Sequence, residues 1–267
     1  MTFQPVVPFN GNLGWAFLQR TRETQEAAFT ESAVVQRDTD YFRDNIGSIT
    51  NAEELVADPR LLKVALGAFG LDDDLPNKAF IQKVLDEGTL ADDAFANKLA
   101  DKRYAAMAEA FGFDLAPSNI SISTFPEEII SAYEIRQFEV AVGNSNENMR
   151  LALGLGRELE TISAGSISED GLWFTIMGTP PLRAVFEAAF NLPTSFGTLD
   201  VDRQLEVFKE KAAANFGDSS VRQFTDPDKQ EELLRKFFVS SELNLQSASA
   251  VRGSVALSLL QSSVSPF

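Results

Sequence analysis

Three consecutive aspartates, Asp72-Asp73-Asp74, are the first residues whose type and spacing could do chemistry, since calcium is held by clustered carboxylates. The loop does not read as a calcium site. Pro76 and Asn77 follow, no glycine stands at its centre, and Lys83 occupies the place of the closing bidentate glutamate. A solvated turn is the better reading. Asp200-Val201-Asp202 fails in the same way, and Asp200 reads as a helix N-cap. Gly154-Leu155-Gly156 looks like a piece of a phosphate-binding loop, but it sits inside a helical pattern with no strand before it, so its amides are already committed. The pairs Asp58/Arg60 and Asp101/Arg103 could polarise a substrate. Helix capping accounts for the aspartates and surface ion pairing for the arginines. Glu127, Glu128 and Glu134 could supply the two carboxylates that glycoside hydrolysis needs, although acidic residues at a helix start serve the helix dipole equally well.

The inventory around these candidates excludes more chemistry than it offers. The chain has no cysteine, hence no disulfide, thiolate nucleophile or thiolate metal site. It has no histidine, the commonest general base near neutral pH and the commonest transition-metal ligand. Carboxylate, lysine and serine–lysine chemistry stay open, but no residue set converges, so no catalytic, cofactor or metal residue is assigned. Asp+Glu of 39 against Lys+Arg of 23 gives a net charge of −16 at pH 7, which repels phosphate backbones and anionic lipid. Nucleic acid is not an expected partner. The apolar runs fall short of the roughly 20 residues of a membrane span, so no membrane insertion is expected either. Met1 to Pro8 lacks the basic start and apolar stretch of a cleaved secretory signal.

The elements that must position these residues read as helices throughout. Residues 1–14 form a flexible arm with two prolines and Asn10-Gly11-Asn12, and a polar, proline-free helical stretch with a thin apolar stripe runs from Trp15 to about Ile46. Thr50-Asn51-Ala52-Glu53 has the spacing of a capping box, and Asp58-Pro59 sets an N-cap before a proline at the first helical position. Leu61, Leu62, Ala65, Leu66 and Phe69 then recur at helical spacing up to Gly70. The pattern returns about 43 residues later, with Asp101-Lys102-Arg103 leading to Ala110-Phe111-Gly112. Between the copies, Phe80, Ile81, Val84 and Leu85 form a short helix closed by Gly88. A fainter echo places Leu182, Val185, Phe186, Ala189 and Phe190 after Pro180-Pro181, and Leu233, Leu234, Phe237 and Phe238 after Asp226-Pro227.

The expected fold is therefore all-α, with two related lobes of short helices forming an internal repeat. The arm and first helix span 1–50, lobe one 51–115, a connecting helix 116–170, lobe two 171–240 and a tail 241–267. Thr124-Phe125-Pro126-Glu127 marks the start of the connector, which runs as one long helix or as two broken around Gly143-Asn144-Ser145-Asn146. In the serine-rich tail, Ala248, Val251, Val255 and Leu259 keep helical spacing. Trp15 and Phe17, with Val255, Leu257, Leu259 and Leu260, are the apolar residues least needed by a lobe core. They are the candidates for contact with a partner, against the alternative that the termini pack on their own lobes.

Several segments resemble a known family. Tyr41-Phe42-x-x-Asn45-Ile46, Asp58-Pro59-Arg60-Leu61-Leu62 through Ala68-Phe69-Gly70-Leu71, Asn77-Lys78-Ala79-Phe80-Ile81 and Met177-Gly178-x-Pro180-Pro181-Leu182-Arg183 are similar to an uncharacterised alphaproteobacterial family often encoded among flagellar genes. The likeness spans roughly residues 38 to 240 and brings no catalytic residues with it. Val255-Ala256-Leu257-Ser258-Leu259-Leu260-Gln261 resembles the terminal segment of flagellins. The resemblance implies a non-enzymatic structural or accessory protein with flagellar protein partners, either cytoplasmic or exported by the flagellar apparatus without a cleaved signal. The alternatives are a soluble binding or regulatory module with a pocket between the lobes and, behind it, a carboxylate-dependent hydrolase.

Overall fold

The computed structural model describes residues 3–165 and 167–243. Among them the chain is all-α, with no strand. The helices are α1 (Gly11–Thr30), α2 (Ala33–Asn45), α3 (Ala52–Ala57), α4 (Pro59–Phe69), α5 (Lys78–Glu87), α6 (Phe95–Lys98) and α7 (Arg103–Phe111). They continue with α8 (Phe125–Gly143), α9 (Glu147–Ser163), α10 (Glu169–Gly178), α11 (Pro180–Ala189), α12 (Val201–Phe216) and α13 over 227–243. The tail from 244 on, with Val255, Leu257, Leu259 and Leu260, lies outside the described residues.

Among the described residues two large apolar cores form, beside a small cluster of Val84, Ala96 and Ala108. The first gathers residues from Phe42 to Tyr133 and has α4 at its centre, where Leu61, Leu62, Val64, Ala65 and Leu66 are all buried. Asp58 caps α4 by accepting from the backbone N–H of Arg60 (2.8 Å) and Leu61 (3.1 Å), and Gly70 ends it in the left-handed region at φ 69°. The second core runs from Leu18 to Phe238 and is built around Trp173, which touches Phe186, Phe190 and Phe208.

The connector is the broken form. Asn146 starts α9 by accepting from Met149 N–H, and α9 folds back along α8, so that Arg136 meets Glu158 and Glu139 meets Arg157. One hairpin arm then does the joining: α8 gives Ile129, Ile130 and Tyr133 to the first core and Phe138 and Val142 to the second.

Four local expectations change. The stretch from Trp15 to Ile46 is two helices, interrupted at Glu31 and Ser32. Leu18 and Phe29 of α1 and Val35 of α2 pack into the second core, while Phe42, further along α2, enters the first. The capping box is shifted by one residue: Asn51 accepts from Glu54 N–H at 2.9 Å, and the Glu54 carboxylate reaches back to Thr50. At Thr124 no side-chain cap forms, and Glu127 is drawn instead to Arg43 at 2.6 Å. The arm is fixed: Val6 N–H donates to the buried Gln25 side chain at 2.6 Å, and Phe3 and Val7 pack on the second core.

Candidate functional site at the junction of the two cores

The ionisable residues that looked chemically capable are mostly spent on structure. Asp72 accepts from Gln137 and Asp74 from Tyr104, each at 2.6 Å, so the triple-aspartate turn ties helices together. Asp200 caps α12 by accepting from Arg203 N–H at 2.9 Å. Gly154-Leu155-Gly156 lies within α9, as its pattern predicts. Among the described residues, no group of three or more carboxylates is placed to hold a metal ion. Glu127 is paired with Arg43, and its carboxyl sits below the usual carboxylate range because of that hydrogen bond.

Of the two arginines in the Asp-x-Arg pairs, Arg103 keeps the ion pair expected of it, with Asp101, whereas Arg60 turns to an aromatic ring. Arg60 lies 3.6 Å over the Tyr41 ring and donates to the Arg37 carbonyl. Arg103 grips Asp101 with two nitrogens, donates to the Gly70 carbonyl at the end of α4, and is only 23% exposed. Two further arginines stand beside it. Arg136 reaches Glu158 at 3.0 Å, and Arg157 holds both oxygens of Glu139 at 2.8 Å. Burial pushes the Glu139 carboxyl up, against the pull of Arg157 and Arg136, and burial draws Arg136 down. The space among these groups is about 40 Å³, room for a few waters and no substrate. This network crosses the junction and balances its own charge.

On the other flank of the junction lies an open groove of about 550 Å³. Helix α10 makes its floor, and the sequence explains how that helix is turned. Ser168 caps it, Glu169 accepts from Ser220 and from Val221 N–H, and Trp173 Nε1 donates to the Ser219 carbonyl at 2.9 Å. With Leu172, Trp173 and Ile176 facing the core, Phe174 is left facing outward, 39% exposed. Ile167 and Val201 flank it at 44% and 56% exposure. Arg183 and Gln204 form one wall, joined at 2.7 Å. The other end is closed by Ala100 and Lys102 from the first half of the chain. That approach depends on Gly178, where a Cβ would stand 2.8 Å from the Ala100 carbonyl oxygen.

Of the expected partner-contact residues, Trp15 is half-buried with its ring 6.1 Å from Phe238, and its Nε1 is shut away without an acceptor. Phe17 is half-buried edge-on to Phe9 at 6.4 Å, beside the exposed Leu13. Neither reaches the groove. The groove residues Ile167, Phe174 and Val201 escaped the sequence reading, although one signal was present: Leu172-Trp173-Phe174-Thr175-Ile176-Met177 is apolar on every side of a helix that has only one side against the core.

Residues 68–230 match a family model described as a protein of unknown function, DUF1217. The chain belongs to this family. The fold of this DUF1217 member is similar to a crystal structure of a protein from the alphaproteobacterium Agrobacterium tumefaciens, with a TM-score of 0.72 and 28% identity over 90% of this chain and 99% of that one. No curated protein matches the chain. No helix among the described residues of this DUF1217 chain is long and apolar enough to cross a membrane.

Proposed function

We propose that this DUF1217 protein is a non-enzymatic structural or accessory component associated with the bacterial flagellum, acting by protein–protein contact. The observation that carries the contact reading is the groove beside α10. It sets three exposed apolar side chains together, while the ionisable groups of the interior are paired with one another. The flagellar part rests on the resemblance to a family encoded among flagellar genes, which is an association and not a geometric argument. The protein would act in the cytoplasm or after export through the flagellar apparatus.

Deleting the gene from its host tests this reading. Impaired swimming with normal growth is the expected result, and unchanged swimming would count against the flagellar role.

One observation favours a second reading, a binding or regulatory module. The groove volume of about 550 Å³ falls within the roughly 300–1,000 Å³ of small-molecule sites, and the groove lies between the two halves. A defined small apolar compound that raises the melting temperature would support that alternative. The carboxylate-dependent hydrolase has less to support it, because Glu127 is held by Arg43.

A further inference from the structure

We infer that the groove beside α10 receives an amphipathic helix of a protein partner whose apolar face is edged by carboxylates. The inference rests on the contact reading and adds the partner's chemistry.

The apolar half of the match comes from Ile167, Phe174 and Val201, which stay exposed beside a helix already anchored to the core through Trp173. Helix-in-groove recognition reads anchors at i, i+3 or i+4, and i+7, which a floor made by one helix is shaped to accept. The charged half comes from the lining. Lys102 and Arg183 stand in it and no Asp or Glu does, in a chain with 39 acidic residues against 23 basic ones. Other open depressions on the surface carry carboxylates: Glu147 and Glu242 in one, Glu127 and Glu128 in another, Glu26 and Glu31 in a third. Arg183 is engaged by Glu187 at 2.6 Å and by Gln204, but the Lys102 ammonium donates to the Asn97 carbonyl alone and keeps donors for an incoming carboxylate. The chain's own residues 244–267 are the wrong occupant by charge, since they contain Arg252 and no Asp or Glu.

The test uses the full chain and two fluorescently labelled helical peptides of about 18 residues, five turns long, with the same leucine face, one edged with Glu and one with Lys. Binding is read by anisotropy. The Glu-edged peptide is expected to bind roughly tenfold more tightly than the Lys-edged one. Lys102→Glu should invert that preference, and Phe174→Ala should weaken both peptides alike, with helicity checked by circular dichroism. Equal affinity for the two peptides, or a preference that survives Lys102→Glu, overturns the proposal. So does binding of dodecanoate with no peptide binding, which assigns the groove to a small amphiphile. Peptide binding that appears only when residues 244–267 are removed also overturns it, because the chain then fills its own groove. A swimming defect on gene deletion without peptide binding retires the groove alone. Peptide binding with normal swimming retires the flagellar assignment alone.

Discussion

Helices α4 and α11 each lie against one arm of the α8–α9 hairpin, α4 on α8 and α11 on α9, and the side chains they bury differ in kind. On α4 the buried surface is aliphatic and small: Leu61, Val64, Ala65, Gly67 and Ala68. Gly67 lies so close to α8 that a Cβ would stand 2.7 Å from the Tyr133 ring. On α11 the buried residues include Phe186, which meets Trp173 at 5.6 Å and Phe224 at 5.1 Å, within a chain of rings that continues through Phe190, Phe208 and Phe216. The α4–α8 contact closes by bringing backbones together, whereas α11 sets Phe186 among the rings of the second core. The first should therefore be sensitive to added atoms and the second to removed ones.

The aromatic residues also provide separate reporters. Both tryptophans, Trp15 and Trp173, belong to the second core, and all three tyrosines, Tyr41, Tyr104 and Tyr133, pack on the first. Because α8 contributes to both cores, tryptophan fluorescence and tyrosine absorbance should give coincident unfolding curves in the natural chain.

Phe186→Ala should do the most damage, costing about 3–5 kcal/mol, because a ring that is 0% exposed leaves a cavity its ring neighbours cannot close. Denaturant unfolding followed by tryptophan fluorescence measures it, and a loss under 1 kcal/mol would mean that the second core relaxes freely. Gly67→Ala attacks the other core by addition. Tyr133 is 2% exposed, and its hydroxyl is tied to Asp38 at 3.2 Å, so the ring has little room to yield. The expected loss is about 2 kcal/mol. A neutral or stabilising Gly67→Ala would show that α4 can move away from α8 at no cost, and the contrast between the cores would fail.

Glu139→Ala probes what joins the two cores. It removes the bidentate partner of Arg157 and leaves that guanidinium the 3.4 Å contact with Glu158. A cost of about 2 kcal/mol is expected, below the 3–5 of a fully buried pair because Arg157 keeps 29% of its side chain exposed. The sharper outcome is qualitative: tyrosine and tryptophan transitions that separate in this variant would identify the Arg157–Glu139 pair as a coupling between the cores. Coincident curves would assign the coupling to the apolar packing of helices that serve both cores, α8 and α2.

Signals that act within one helical turn were legible in the sequence. The Asp58-Pro59 start, the apolar face from Leu61 to Leu66 and the Gly70 stop of α4 are all where the spacing puts them, and so is the Asp200 cap. Where two local solutions compete, reading fails by a residue. Thr50/Glu53 and Asn51/Glu54 both fit the cap spacing, and the chain uses the second. Long-range features left no local trace. Arg157 and Glu139 are 18 residues apart, and Ala100 touches Gly178 across the junction. The groove depends on that second contact and on the direction in which Trp173 turns α10, both decided by tertiary packing.

The smallest expected effect tests the first core at its capped edge. The Asp58 carboxyl is pushed up by partial burial, but the Tyr41 hydroxyl at 2.6 Å, the N–H groups of Leu61 and Arg60 and the Arg60 charge outweigh that and hold it below its ordinary value. A carboxylate with a depressed folded pKa contributes stability that is present above its unfolded pKa, about 3.9, and is lost as pH falls through the lower folded value. Asp58→Asn keeps a capping side chain and removes only the charge, so it should be less stable than the natural chain by about 1 kcal/mol at pH 6, with the gap closing as the pH falls below the unfolded value of about 3.9. Asp58→Ala also loses the cap and should remain destabilised in acid as well. If the Asn variant instead kept a constant deficit from pH 6 to pH 2, the ionised carboxylate would not be the source of the stability at this helix start, and shape alone would account for the Asp58 cap.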